Sequence, residues 1–200
     1  MRDVLILGVD IHGLEMADII RRGGQYNLVG YVRQEGSQAE GVFGEHPVVG
    51  GAEVLPQYPD AGFIPMHVWK SDAGMQQWVN LIDPSAFVAS TAVLGQGCVV
   101  YPNCFIGAQA KLGNKIFVMS SSVINHDNVI GDGVTVTSGV RLAGFVKVGP
   151  GAYLGQGCNV RQYLSVGDNV TVGMGAVVTR DVPAGVTVIG NPARPYVKKT

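Results

Sequence analysis

The sequence has almost no net charge and no long apolar segments. Its formal net charge is −1 at pH 7, so neither a nucleic-acid surface nor an anionic membrane is indicated as a partner. No apolar run reaches the roughly 20 residues of a membrane-spanning helix, and the first residues lack the charged and apolar regions of a secretory signal. We therefore expect a cytoplasmic protein that binds neither membranes nor nucleic acids.

Cysteine is also scarce, and its spacing argues against disulfide or metal motifs. The three cysteines, Cys98, Cys104 and Cys158, are odd in number and form no CxxC motif. Each occupies the same place in a six-residue repeat, the place that points inward. They are therefore predicted to be small, buried, apolar side chains.

The repeat itself is the strongest pattern in the chain. Every sixth residue from position 82 to position 178 is Ile, Leu or Val, without a slip in register. At a frequency of about 25 % for these three types, such a run has odds on the order of 10⁻¹⁰ by chance. The residues are Ile82, Val88, Leu94, Val100, Ile106, Leu112, Val118, Ile124, Ile130, Val136, Leu142, Val148, Leu154, Val160, Val166, Val172 and Val178.

Counted from these residues, the other places of each hexad are also regular. The fifth residue is mostly small or apolar, and the second is often glycine. One large and one small inward side chain, followed by a turn, describe one side of a triangular parallel coil. Three hexads then form an 18-residue rung, and rungs stack at a strand spacing of about 4.8 Å. We expect the glycines to relieve backbone sterics at the corners.

About 80 residues precede the repeat and have the pattern of a small α/β domain. Residues 4–9 predict a buried parallel strand, a helical pattern follows and ends at Gly23 and Gly24, and residues 28–32 predict a second strand. The first turn of such a βαβ unit presents helix N–H groups to an anion such as phosphate. We therefore divide the chain into a Rossmann-like α/β domain, residues 1–80, and a coil domain, residues 81–200.

Two neighbouring hexads break the apolar pattern, because their fifth residues are Ser122 and Asn128. Polar residues in a buried row reduce stability, and local failure of a regular pattern often marks a functional site. The same segment holds His126, the only histidine of the repeat. Hexapeptide-coil carbonic anhydrases need three histidines for zinc, so we expect no metal.

His126 occupies the outward third place of its hexad, and Gly144 occupies that place one rung later. An imidazole beside an exposed backbone N–H suits acyl transfer. The imidazole takes a proton from the acceptor, and the N–H can meet the oxyanion of the tetrahedral intermediate. Asp127 is adjacent and is expected to orient the imidazole. These residues predict a catalytic pair, His126 and Asp127.

The coil motifs resemble those of the left-handed β-helix acyltransferases. With the amino-terminal strand, turn, His-Gly and helix, the chain is similar to the sialic acid O-acetyltransferase / nucleotide-aminosugar N-acetyltransferase family, the PglD- and NeuD-like proteins. The resemblance covers nearly the whole chain and implies a mainly β fold, with a left-handed parallel β-helix after a small Rossmann-like domain. It is carried by Ile124-Asn125-His126-Asp127, Leu142-Ala143-Gly144 and residues 177–183 and 190–194.

The resemblance also implies a function. It implies an acetyl-CoA-dependent N-acetyltransferase that acts on the amino group of a nucleotide-linked amino-dideoxy sugar in surface glycan biosynthesis. The chain would form a homotrimer with acetyl-CoA in the grooves between neighbouring coils, and the amino-terminal domain would hold the sugar nucleotide. Two alternatives stay open: a sugar O-acetyltransferase of the sialic acid type, and a non-catalytic trimeric scaffold that binds sugar nucleotides.

Several binding positions follow from the resemblance, some with departures from the family pattern. Gly144, Gln156 and Met174 fall where the family contacts CoA, and Thr135 stands in place of a second coil histidine. At the substrate positions, Ile11 replaces a glycine of the first turn, Arg33-Gln34 replaces a pair of aspartates, and His67 replaces a glycine. The substrate-binding positions are Asp10, Ile11, His12, Arg33, Gln34, His67 and Asn125.

Overall fold

The computed structural model describes residues 1–66, 69 and 77–196. The chain divides into two compact units, Met1–Pro84 and Ser85–Thr200. The regular structure is mainly β, as the sequence predicts.

The first unit contains a largely parallel sheet with one α-helix between its first two strands. The sheet has the order β3-β4-β2-β1-β5, and all neighbouring pairs are parallel except β3 and β4. The unit ends with β6. The elements are β1 (Arg2–Leu7), α1 (Ile11–Gly23), β2 (Tyr26–Val32), β3 (Val42–Phe43), β4 (His46–Gly50), a 3₁₀ helix (Ala52–Gln57), β5 (Gly62–Pro65) and β6 (Leu81–Ile82).

The βαβ start of this unit follows from local sequence. Apolar residues of β1 are fully buried, and the inner face of α1 packs Met16 and Ile20 away from solvent. The helix begins after Asp10, whose side chain accepts a hydrogen bond from the His12 N–H, and ends at Gly24 with φ 63°. The predicted end at the glycine pair is therefore confirmed. The described residues of this unit contain one α-helix, so the Rossmann-like assignment stays a prediction.

The second unit is a β-solenoid built from two-residue strands. Three stacks of strands form its faces: β7-β10-β13-β16-β19-β22, then β8-β11-β14-β17-β20, then β9-β12-β15-β18-β21 with β23 and β24 at the end. The strands are β7 (Phe87–Val88), β8 (Val93–Leu94), β9 (Val99–Val100), β10 (Phe105–Ile106), β11 (Lys111–Leu112), β12 (Phe117–Val118), β13 (Val123–Ile124), β14 (Val129–Ile130), β15 (Thr135–Val136), β16 (Arg141–Leu142), β17 (Lys147–Val148), β18 (Tyr153–Leu154), β19 (Asn159–Val160), β20 (Ser165–Val166), β21 (Thr171–Val172), β22 (Val177–Val178), β23 (Thr187–Ile189) and β24 (Arg194–Pro195).

The 18-residue step of the sequence is the register of this solenoid. Ile124 of β13 pairs with Ile106 of β10 on one side and with Leu142 of β16 on the other. All three side chains are fully buried, and burial of each such side chain stabilises the fold by about 1.5–3 kcal/mol. Val88 and Leu94 are only half-buried, because β7 and β8 are the end strands of their sheets. The predicted triangular coil is therefore confirmed.

The inward fifth place of the hexads behaves as predicted for cysteine. Cys98, Cys104 and Cys158 are all buried. Ser122, one of the two polar exceptions, is also fully buried, and its hydroxyl donates to the Thr137 carbonyl at 2.8 Å. The polar group is thus satisfied inside the core, as a buried hydroxyl requires.

The second-place glycines relieve backbone sterics at the corners, as predicted, but not by a left-handed turn. The positive φ angles of the hexads fall at the fourth place, as at Asp127 with φ 59°. The second place is glycine because neighbouring rungs approach closely there. A Cβ added to Gly107 would lie 2.7 Å from the backbone nitrogen of His126 on the next rung, closer than two such atoms can pack.

A stability prediction follows from the buried thiol of Cys158. Burial raises its pKa from 9.0 to about 12, so the unfolded chain releases this proton at lower pH than the folded chain. The free energy of unfolding should therefore fall as pH rises from 9 toward 12. Urea unfolding at several pH values should show a shallower decline for Cys158→Ala than for the native protein. Parallel curves for the two proteins would contradict this expectation.

Candidate active site

The candidate site is built on two stacked corners of the solenoid. The His126 corner is the turn of residues 125–128 between β13 and β14, and the Gly144 corner is the turn of residues 143–146 between β16 and β17. Asp127 makes the first turn possible, because aspartate tolerates the left-handed backbone better than most residues. The corner leaves the His126 side chain 56 % exposed and that of Asp127 37 % exposed. Both side chains can thus reach a ligand.

His126 and Asp127 form a direct hydrogen bond, 2.8 Å between Nδ1 and Oδ2. An ionised carboxylate can only accept, so Nδ1 of the imidazole carries the hydrogen. The other ring nitrogen, Nε2, then has a free lone pair and can act as a proton acceptor. The predicted orientation of the imidazole by Asp127 has its geometric basis in this bond.

Gly144 lies directly beside the imidazole, as the 18-residue spacing predicts. A Cβ added to Gly144 would lie 2.7 Å from Cε1 of His126 and 2.8 Å from Nε2. The imidazole therefore occupies the space that any other residue would fill at this position. Among residues 1–66, 69 and 77–196, none accepts a hydrogen bond from the Gly144 N–H. Gly144 is itself buried, however, so the exposed N–H that the sequence predicts at this place is not observed.

Sequence reasoning missed two aromatic residues at this site. Phe145 packs the edge of its ring against His126, with ring centroids 5.3 Å apart and planes at 87°. Tyr163, one rung later, stacks on Phe145 at 5.1 Å. Both are exposed and have positive φ, which is uncommon for bulky side chains. Both residues occupy the fourth place of a hexad, 18 and 36 residues after Asp127. This spacing is the sequence signal from which they could have been predicted.

A shallow hollow continues from the Gly144 corner to the next rung. It is lined by Ala143, Arg161, Gln162 and Tyr163 and has a volume of about 380 Å³. Arg161 makes no ion pair with any residue that the structure describes. An uncompensated guanidinium beside exposed aromatic rings can bind an anionic ligand with an apolar portion.

The predicted CoA-contacting residues do not all lie on these corners. Thr135 is in β15, on a different face of the solenoid from β13. Gln156 and Met174 lie in stacked turns after β18 and β21 of that same face, and the Gly175 N–H donates to the Gln156 carbonyl. Within one chain, Gly144 therefore lies beside His126, whereas Thr135, Gln156 and Met174 lie elsewhere on the solenoid.

Asn125 supports the backbone with its side chain. Its Nδ2 donates to the Leu142 carbonyl at 2.8 Å, and its backbone N–H donates to the same oxygen at 3.2 Å. These bonds tie the His126 corner to the rung of Gly144. The Asn125 side-chain oxygen and the second N–H of its amide group are left for the substrate contact predicted from the sequence.

The predicted helix-start site of the first unit is partly filled by its own residues. The carboxylate of Asp10 accepts the His12 N–H at 2.7 Å, and His12 Nδ1 lies 3.0 Å from Glu15 Oε2. A carboxylate at this end of α1 competes with the anion that we expected there. Ile11, by contrast, is 65 % exposed.

The polar pair after the second strand is also engaged. Arg33 forms ion pairs with Glu40 at 3.4 Å and with Glu53 at 3.9 Å. The Gln34 side-chain oxygen accepts the Val9 N–H at 3.0 Å and so joins the ends of β1 and β2. His67, the remaining predicted substrate residue, lies outside the described residues.

Two further observations apply to the described part of the chain. No group of three or more His, Cys, Asp or Glu side chains there could hold a metal ion. Its single α-helix is too short and too polar to cross a membrane.

Comparison with known proteins places these corners in context. No family model and no curated protein matches the sequence. Among solved structures, the acetyltransferase domain of PglB from Neisseria gonorrhoeae has a TM-score of 0.89 at 27% identity, with 98% of this chain and 100% of that chain covered. The family resemblance predicted from the sequence is confirmed. The chain is thus similar to sugar N-acetyltransferases with a β-solenoid fold.

Two other solved structures are similar to the chain over nearly its whole length. PerB from Caulobacter crescentus, in complex with CoA and GDP-perosamine, has a TM-score of 0.87 at 28% identity, with 98% of each chain covered. WeeI from Acinetobacter baumannii has a TM-score of 0.83 at 24% identity, with 97% of this chain and 100% of that chain covered, and supports the fold alone. The match to these sugar acetyltransferases extends over both units of the chain.

The contact between His126 and Gly144 can be tested directly. We expect Gly144→Ala to displace the imidazole, because the added Cβ would lie 2.7 Å from Cε1. The free energy of unfolding should change by less than about 1 kcal/mol, since His126 is exposed and can rotate away. A crystal structure of the variant and urea unfolding would check both expectations. Gln162→Ala, at the same place one rung later, is the matched control and should leave His126 unmoved.

Proposed function

We propose that this chain is an acetyl-CoA-dependent N-acetyltransferase that acts on the amino group of a nucleotide-linked amino-dideoxy sugar. The observation that carries the proposal is the imidazole of His126 lying over a residue without a side chain, with its Nδ1 bound to Asp127. Relatives of similar fold support the choice of substrates. PglB was solved with acetyl coenzyme A, and PerB with CoA and GDP-perosamine.

The geometry supports a direct acyl transfer. Acetyl-CoA would supply the acetyl thioester, and the amino group of the sugar would attack its carbonyl carbon. Nε2 of His126 would take the proton that the nitrogen loses, while Asp127 stabilises the resulting imidazolium. The Gly144 N–H would donate to the oxygen of the tetrahedral intermediate. When the C–S bond breaks, the imidazolium can return the proton to the CoA sulfur, so His126 ends the cycle neutral.

The position of the predicted CoA residues favours an assembly of several chains. Gln156 and Met174 occupy a different corner of the solenoid from His126. The two corners of a single coil therefore cannot both contact one ligand. In a homotrimer, a groove between neighbouring coils would bring the His126 corner of one copy near the Gln156 and Met174 corner of another. We include this homotrimer, the CoA groove and the contact of Thr135 with CoA in the proposal.

The acceptor substrate would be held partly by the first unit. Its βαβ start and largely parallel sheet support a Rossmann-like, nucleotide-binding role, with Asp10, Ile11, His12, Arg33 and Gln34 near the ligand. We keep Asn125 of the coil as a separate proposed substrate contact, through its side-chain oxygen. We further propose that the solenoid winds left-handed and that the enzyme works in the cytoplasm on surface glycan precursors.

The proposal is tested by a mass-spectrometric screen of nucleotide-amino sugars with acetyl-CoA. We expect a gain of one acetyl group on an amino sugar, and a loss of kcat of roughly 10²–10⁴-fold in His126→Ala. An amine needs less activation than a hydroxyl, so an O-acetyltransferase should lose more activity than an N-acetyltransferase.

Binding provides the control for this experiment. His126→Ala and the native protein should both be stabilised by acetyl-CoA in a thermal shift assay, by about 2.7 kcal/mol at 100 times the dissociation constant. Native protein that acetylates no sugar and gains no stability from acetyl-CoA would favour the non-catalytic scaffold instead.

The role of Asp127 gives a separate prediction. In Asp127→Asn, the side-chain amide can donate to Nδ1, which would move the hydrogen of the imidazole to Nε2 and remove the proton acceptor. We expect kcat to fall by about 10²-fold or more while the KM for acetyl-CoA changes little. Steady-state kinetics would measure both constants. A variant with native kcat would show that the tautomer does not matter.

A further inference from the structure

Asn128 is a fully buried amide directly beneath the corner that carries His126. It occupies the inward fifth place, where the neighbouring rungs have Ala110 and Val146, both also fully buried. An amide in such a row is destabilising unless its donor and its acceptor are both satisfied. The reason for this residue must therefore lie in its hydrogen bonds.

The side chain of Asn128 bridges two rungs. Its Nδ2 donates to the Asn125 carbonyl of its own corner at 2.8 Å, and its Oδ1 accepts the Val146 N–H of the next rung at 2.8 Å. At some other corners, the fifth-place N–H donates within its own turn, as from Cys158 to Gly155. The Val146 N–H instead donates to a side chain of the preceding rung, that of Asn128.

The bonds between these two rungs enclose Gly144. On one side of it, Asn125 donates twice to the Leu142 carbonyl; on the other, Asn128 accepts from Val146. Leu142 and Val146 are each two residues from Gly144. Between them, the Phe145 N–H donates to the His126 carbonyl at 3.2 Å. The backbone that carries Gly144 is thus held on both sides against the backbone that carries His126.

We infer that Asn128 is a positioning residue that sets the placement of His126 over Gly144. The inference rests on the proposed function, in which His126 accepts the proton and the Gly144 N–H binds the oxyanion. These two groups belong to different rungs, so their spacing depends on bonds between the rungs. A displacement of about 1 Å between catalytic groups can lower a rate by roughly 10²-fold.

The test is Asn128→Val, which gives this place the residue found in neighbouring hexads, such as Val134 and Val140. The variant restores the apolar row but removes both side-chain hydrogen bonds. We expect kcat to fall by roughly 10–100-fold, with little change in the KM for acetyl-CoA. A residue that served only core packing would not produce this division between kcat and KM.

The chain offers a matched control. Ser122 is the other polar fifth-place residue, is equally buried, and donates to Thr137 at a corner without His126. Ser122→Ala also loses a buried hydrogen bond, but it should keep native kcat. Asn128→Asp keeps the acceptor for the Val146 N–H and loses a donor to Asn125. Its buried carboxylate would also face the Asn125 carbonyl oxygen, so it is a poor substitute. Asn128→Ala, the residue found at Ala110 and Ala152, removes both side-chain hydrogen bonds without burying a charge and serves as the test if Asn128→Val does not fold.

Crystal structures of the native protein and the variants separate this inference from the proposed function. If native protein acetylates none of the sugars, the proposed function fails, but the structures still decide the role of Asn128. We expect the His126 ring to move away from Gly144 in Asn128→Val, or in Asn128→Ala if the first does not fold, and to stay in place in Ser122→Ala. An unchanged ring, or a kcat equal to that of Ser122→Ala, would overturn the inference.

Discussion

Pairing between rungs 18 residues apart is the constraint on which the rest of the structure depends. Each rung donates backbone hydrogen bonds to the next and buries one Ile, Leu or Val of every hexad against it. A residue at one corner therefore meets the residue 18 positions later at strand spacing, about 4.8 Å away. This is why His126 and Gly144, far apart in sequence, share one site without a loop or a domain closure to bring them together.

The candidate site is formed by exceptions to that regularity. The third place loses its side chain at Gly144, and the imidazole of the preceding rung fills the space. The inward row becomes polar at Asn128, which ties the two corners together. Bulky Phe145 appears in a left-handed position where small or polar residues are usual. A regular solenoid can accept such local departures because stacking on both sides compensates for their free-energy cost.

Other predicted binding positions lie away from the His126 corner. The predicted CoA residues Gln156 and Met174 lie on a corner away from His126, which is the physical basis for the proposed trimer. In the first unit, the carboxylate of Asp10 caps the helix at the point where an anion was expected. A nucleotide there would have to bind beside this carboxylate or make the side chain move.

The sequence by itself determined the solenoid, its 18-residue register, the buried cysteines and the stacking of Gly144 on His126. The reason is that, with a strict six-residue period, only one arrangement buries the Ile, Leu or Val of every hexad. It did not reveal that the contact relieved by the second-place glycines lies between neighbouring rungs, since close approach is a distance and not a pattern. The tertiary structure alone decided the hydrogen bonds of Asn128 and the packing of Phe145 on the imidazole. Each of these depends on side-chain direction at a corner, and the spacing of residues in a sequence does not specify that direction.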